Sequence, residues 1–227
     1  MLPTLRPDLN KQLYLRDPQA TDLGRRVLAA SIQLLDEIGF ESFTFKKLAV
    51  LLGSTEASVY RYFENKHRLL TYLVSWHWAW LRFKLRVALH NVADPRQRLY
   101  HALGAVCDAS VDDPATPDLD EAALYRVVMA EASKAYLTKE VDADNRAGLF
   151  REYKLLVADL VAVMQGVNPA YAHSHALVST LLEAARNQLF YARHLPSLTD
   201  PGLHVRSFLE HLALAALAAP AGPPPRR

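Results

Sequence analysis

The side chains best suited to contacting an anion lie in residues 55–63, TEASVYRYF. Thr55, Glu56, Ala57 and Ser58 are short apart from the glutamate. A helix that begins with such residues can approach a phosphate or a base edge closely, and its free N–H groups favour an anion there. Tyr60, Arg61 and Tyr62 follow, then Lys66. Tyrosine hydroxyls, guanidinium and ammonium groups are common donors to nucleic-acid phosphates. Val59 and Phe63, four residues apart, would anchor the same helix to a core.

Other chemistry finds little support in the spacing. His173 and His175 stand two apart and so point to different faces of a helix, and His101 lies near Cys107 without further ligands. Zinc needs three or four converging ligands, so no metal is expected. Nothing reads as a Ser-His-Asp set, a glycine-rich phosphate loop or a catalytic carboxylate pair. No catalytic residue and no cofactor is expected.

The short segment needs elements to hold it, and the chain supplies helices. Its 227 residues are 51% hydrophobic and 22% charged, with 8 Gly, and Ala and Leu fill the long stretches between breakers. That composition favours helix over sheet. A single cysteine, Cys107, excludes an internal disulfide, and no long uncharged apolar run suggests a signal peptide or a membrane span, so a cytoplasmic location is expected. Residues 1–70 hold ten Lys/Arg against eight Asp/Glu, so the whole formal excess of +2 sits in that third. An excess so small does not by itself indicate a nucleic acid.

Asp17-Pro18 reads as a cap followed by proline in the first turn of a helix, with Leu23, Val27, Ser31, Leu34, Leu35 and Ile38 at helical spacing and Gly39 as its stop. Thr44 caps a short second helix with Leu48, Ala49 and Leu52 inward, closed by Gly53. The third begins at Ser54 or Thr55 and finishes near Phe63. Asn65 caps a fourth running from Lys66 to about His90. Further helices are expected at about 95–111, 119–140 (whole or broken), 143–165, 172–194 and 202–219, with a polar arm at 1–16 and a proline-rich tail at 220–227, both expected to be disordered or flexible. Two short helices around a glycine turn, packed under a preceding helix, fit a helix-turn-helix.

The run FTFKKLAVLLGSTEASVYRYFENKHRLL closely resembles the DNA-binding core of the TetR family (TetR/AcrR) of transcriptional regulators. Thr44, Leu48-Ala49, Gly53, Tyr60, Tyr62-Phe63 and Lys66 fall on the family pattern without gaps, and Ala29-Ala30 and Gly39-Phe40 match its first helix. The resemblance covers about residues 18–75. Two positions depart from it: Glu56, where the family often has a basic or polar residue, and Glu64, where it often has proline. Glu56 either accepts from a cytosine amino group, or merely complements the helix N-terminus or pairs with a nearby cation.

The resemblance implies an all-α protein, with a helix-turn-helix domain at 17–68 and a helical ligand-sensing and dimerisation domain at 69–219. It implies a homodimer that binds a palindromic operator in double-stranded DNA, acts as a repressor and is released by an unknown small-molecule effector, mainly apolar. Thr44, Tyr60, Tyr62 and Lys66 would hold phosphates, with Thr55, Glu56, Ala57, Ser58 and Arg61 nearest the bases and Lys46 a further DNA-binding candidate. Trp76, Trp80, Tyr100, Cys107, Tyr125, Met129, Phe150 and Tyr153 are candidates for an apolar pocket; each taken singly fits a closed core better, and the resemblance favours a cavity only for the set. The last two helices, through Leu177, Leu181, Ala185 and Leu189 and through Phe208 and Leu212, would form the dimer interface. Two other readings stay open. One is an all-helical ligand-binding protein or enzyme with a vestigial helix-turn-helix; the other is an activator or nucleoid-type protein without a ligand.

Overall fold

A computed structural model describes residues 6–108 and 119–218, and among them every regular element is a helix. The tail at 220–227 and most of the loop DDPATPDLD lie outside the described residues.

Asp17-Pro18 opens a separate 3-10 turn, Pro18–Ala20, rather than the first long helix. The cap of α1 (Asp22–Ser42) is Thr21, whose Oγ1 accepts the Gly24 N–H at 3.0 Å. The turn folds back so tightly that a Cβ on Gly24 would lie 2.2 Å from the Pro18 carbonyl oxygen. Gly39 breaks the regular path of α1, as expected, by taking φ +71, a conformation costly for any residue with a Cβ.

Thr44 caps α2 (Phe45–Leu51), its Oγ1 accepting the Lys47 N–H at 3.2 Å. Gly53, at φ +60, turns the chain into α3 (Glu56–Tyr60). That helix ends three residues earlier than the sequence suggests. Asn65 then caps α4 (Lys66–Ala88), its Oδ1 accepting the Arg68 N–H at 2.8 Å.

Asp94 caps α5 (Pro95–Cys107). The region expected at 119–140 is a broken pair, α6 (Glu121–Glu131) and α7 (Ser133–Tyr136). The single helix expected at 143–165 is two, α8 (Val141–Arg146) and α9 (Arg151–Val167), because Gly148 takes φ +76 between them. α10 (Ser174–His194) and α11 (Val205–Ala218) complete the fold.

The helices form two compact units. The first takes the chain up to Trp80 together with residues 119–153; the second takes residues 81–108 and the chain from Lys154 onward. α4 thus contributes to both, and the units do not follow a division after residue 68.

In the first unit α1 packs on α6. The contact is fixed by a two-pronged Arg126–Asp36 ion pair, with Nε and Nη2 reaching the carboxylate at 3.0 and 2.6 Å. Arg68 of α4 reaches Asp144 of α8 at 2.9 Å. The segment 6–16 is packed rather than flexible, since Leu9 and Leu13 are buried and Asn10 Nδ2 donates to the Ala147 carbonyl at 2.8 Å.

In the second unit α11 packs against α5 and α10. Val205, Leu209, Ala213 and Leu217, each four apart, form its buried stripe. Arg82 of α4 pairs with Asp159 of α9 at 2.7 Å.

Candidate nucleic-acid interface

The geometry of α3 follows from two fully buried anchors, Val59 and Phe63. With these side chains inward, Thr55, Glu56, Ala57, Tyr60 and Arg61 are left exposed on one side. The Tyr60 ring stands edge-on to Phe45 at 4.9 Å, and this contact brings the N-terminal turn of α2 beside the end of α3. Thr44 and Lys46 flank Phe45 and are also exposed. Seven of the ten sequence candidates are therefore surface groups: Thr44, Lys46, Thr55, Glu56, Ala57, Tyr60 and Arg61.

The other three are engaged within the protein. Ser58 is buried, and its hydroxyl pairs with that of Thr55 at 2.9 Å. Tyr62 is buried too, its hydroxyl bonded to Thr21 Oγ1 at 2.7 Å. Lys66 donates to three carbonyls at the end of α1: Phe40 at 2.9 Å, Glu41 at 3.3 Å and Phe43 at 3.3 Å. An ammonium has three N–H groups, and all three have acceptors here. Helix-facing position explains Ser58 and Tyr62, since each lies next to an anchor. Lys66 is drawn inward by carbonyls at the C-terminal end of α1, where a helix leaves backbone acceptors with capacity to spare.

Two basic residues near this surface escaped the sequence reading. Lys47 is exposed and donates to the Ser42 carbonyl at 2.8 Å. Arg26 donates to the Leu52 carbonyl at 2.9 Å and so closes the end of α2. Lys47 stands next to Lys46 in the recognisable run, but its exposure, like the Arg26 contact with α2, follows only from the packing of α1 and α2.

The eight candidate pocket residues divide between the units. Tyr100 and Cys107 belong to the second. Tyr100 is exposed, with the Arg206 guanidinium 3.5 Å from its ring centre, and burial raises the Cys107 thiol to about 11. The other six belong to the first unit. Trp76, Trp80 and Tyr125 are buried there, while Met129, Phe150 and Tyr153 are half-buried. An aromatic cluster links several of them: Trp78 lies 4.9 Å from Tyr153, Tyr136 stacks on Tyr153 at 5.7 Å, and Phe150 meets Tyr136 edge-on at 5.6 Å. Trp78 Nε1 donates to the Tyr136 hydroxyl at 2.6 Å.

The residues expected at a dimer interface behave in two ways. Leu177, Leu181 and Ala185 are buried within their own subunit, which corrects their reading as a free face. Their four-residue stripe is the inward side of α10. Leu189 is half-buried, whereas Phe208 and Leu212 are 39% and 38% exposed, as is Phe190 of α10 at 39%.

Residues 27–73 match the sequence profile described as bacterial regulatory proteins, tetR family. No curated protein matches the chain. Among solved structures, superantigen PfiT aligns with TM-score 0.60 and 16% identity over 90% of this chain and 100% of that one. AibR, solved in complex with isovaleryl coenzyme A and operator DNA, aligns with TM-score 0.57 and 16% identity, covering 85% of this chain and 98% of that one. The ketosteroid transcriptional regulator KstR2 of Mycobacterium tuberculosis gives 0.55 and 18%, over 85% and 93%.

Proposed function

We propose that the chain, whose residues 27–73 match the profile of the tetR family of bacterial regulatory proteins, is a homodimeric repressor that places α3 in the major groove of each half of a palindromic operator. The observation that carries this reading is the segregation of α3. Val59 and Phe63 are fully buried, while Thr55, Glu56, Ala57, Tyr60 and Arg61 face outward together. A recognition helix needs that division between a side fixed to the domain and a side free to meet base edges. Thr44, Lys46 and Tyr60 hold phosphates, and Arg61 reaches a base.

Selection of bound duplexes from a random-sequence pool tests the reading. The expected product is a two-fold symmetric motif whose affinity falls steeply as salt rises. Arg61→Ala should relax preference at one position of each half-site, at about 1–3 kcal/mol. Binding without sequence preference at any salt concentration would overturn it.

A small, mainly apolar effector releases the repressor. AibR is described with an acyl-coenzyme A and operator DNA together, and the first unit of this chain offers aromatic surface among aliphatic side chains. Trp76 Nε1 is buried without a hydrogen-bond partner among the described residues, so an acceptor on a ligand would satisfy it. Lowering operator affinity a hundredfold requires a coupling of about 2.7 kcal/mol, within the usual range. Titration of acyl-coenzyme A esters and free fatty acids into the protein–operator complex should release DNA. An effector that binds equally well with and without operator would count against this role.

A further inference from the structure

The segment before α1 touches the reading helix's own exit. The Leu15 N–H donates to the Tyr62 carbonyl at 2.8 Å, just beyond α3. Arg16 follows, exposed, with its guanidinium carbon 5.9 Å from the centre of the Tyr62 ring. That separation is near the outer limit of a cation–π contact, so the ring holds the guanidinium only loosely. Among the described residues Arg16 forms no ion pair. The nearest carboxylate in sequence, Asp17, is occupied in part by the Gln19 N–H, which it accepts at 2.8 Å. Asp22 pairs with Arg25. Arg16 therefore offers an exposed cation without an ion-pair partner near Tyr62, the residue that follows Arg61 in the chain.

The backbone that carries it is fixed on both sides. Leu13 is 1% exposed, and Asn10 caps the turn Lys11–Leu13 by accepting the Gln12 N–H at 2.9 Å. Tyr14 meets Tyr72 edge-on at 6.0 Å. Beyond Arg16, Pro18 lies against Gly24 with no room for a Cβ. A donor on a backbone already ordered loses little conformational entropy when it binds.

We propose that this arm is a second DNA-contacting element, in which Arg16 neutralises a phosphate flanking the groove that α3 occupies. The proposal rests on the DNA-binding reading above and adds to it a contact outside the helix-turn-helix. The contact carries charge and not sequence, because a single guanidinium held beside Tyr62 meets the backbone that borders the groove. The arm also lengthens the protected site, since residues 15–16 lie beyond the end of α3.

The test uses the full chain and two labelled duplexes, one recovered by selection on the wild-type protein and one of random sequence. Arg16→Ala should weaken binding to both by about tenfold, with the salt slope reduced by about one for each copy of Arg16 at the DNA. Arg16→Lys should restore the slope. Base preference should not change, and trimming flanking base pairs from the selected duplex should abolish the difference between wild type and Arg16→Ala. Unchanged affinity and slope in Arg16→Ala, with wild-type binding intact, would overturn the arm's role and leave that of α3 standing. A changed base preference would overturn it too, by making Arg16 a base reader. Failure of the wild-type protein to bind any duplex would overturn both readings together.

Discussion

Glu131 Oε1 accepts the backbone N–H of Phe40 at 2.9 Å across 91 residues of sequence. The N–H belongs to the residue after the Gly39 kink, and the acceptor sits at the end of α6. Lys134 completes the arrangement, pairing with Glu131 at 2.8 Å and with Glu41 at 3.0 Å, and these two carboxylates raise its pKa. The end of α1 is thus held to α6 through its backbone and through charge.

Glu131→Ala should leave the Phe40 N–H buried without an acceptor, a loss of about 1–3 kcal/mol. Glu131→Gln keeps a carbonyl oxygen in place and should recover most of it. Thermal or urea denaturation of the two variants checks the difference. Equal losses would mean that the charge pairing with Lys134, and not the N–H, holds the contact.

Lys66 makes a related prediction. Its ammonium is shared among the Phe40, Glu41 and Phe43 carbonyls and lies 4.6 Å from the Phe40 ring centre. Lys66→Met should therefore lower stability by about 1–3 kcal/mol while leaving the salt slope of DNA binding unchanged. A slope reduced without any loss of stability would return Lys66 to the phosphate-contacting group.

These two residues mark how far the sequence could be read. The helix-turn-helix was legible because its punctuation is local: Thr44 caps, Gly53 turns, and Val59 and Phe63 repeat at helical spacing. Lys66 was legible as a position but not as a role, since its acceptors sit 23 to 26 residues away. Glu131 gave no signal, because nothing in EAALYRVVMAE announces a partner on α1. The break at Gly148 was passed over for another reason. One glycine in an otherwise helical pattern is tolerated often enough, and only its φ of +76 identifies the interruption.

The apolar faces of the last two helices predict opposite outcomes for two kinds of charge insertion. Ala185 is 2% exposed, so Ala185→Glu would bury an unpaired carboxylate inside the subunit and should unfold it. Phe208→Glu and Leu212→Glu alter exposed positions and should leave the fold intact while dissociating the proposed homodimer. Sedimentation together with circular dichroism separates the cases. A Phe208→Glu, Leu212→Glu double variant that stays dimeric would place the interface elsewhere.

His77 predicts how stability depends on pH. It is 1% exposed, with the rings of Trp78, Trp80 and Tyr125 within 5.0, 5.9 and 6.0 Å. Burial away from water lowers its pKa from 6.5 to about 3. Between those values the unfolded chain binds a proton that the folded chain does not, so stability is complete above about pH 6.5 and falls as pH drops towards 3. At pH 4 the loss from this one group is on the order of 3 kcal/mol. His77→Phe removes the titrating group and retains an aromatic ring of similar size. Its unfolding free energy should fall less steeply than that of the wild type between pH 6.5 and pH 4, even if its stability at pH 7 is somewhat lower through imperfect packing. Urea denaturation at half-unit pH intervals measures both curves. Parallel curves over that window would show that His77 takes up its proton in the folded protein, and hence that water reaches the ring.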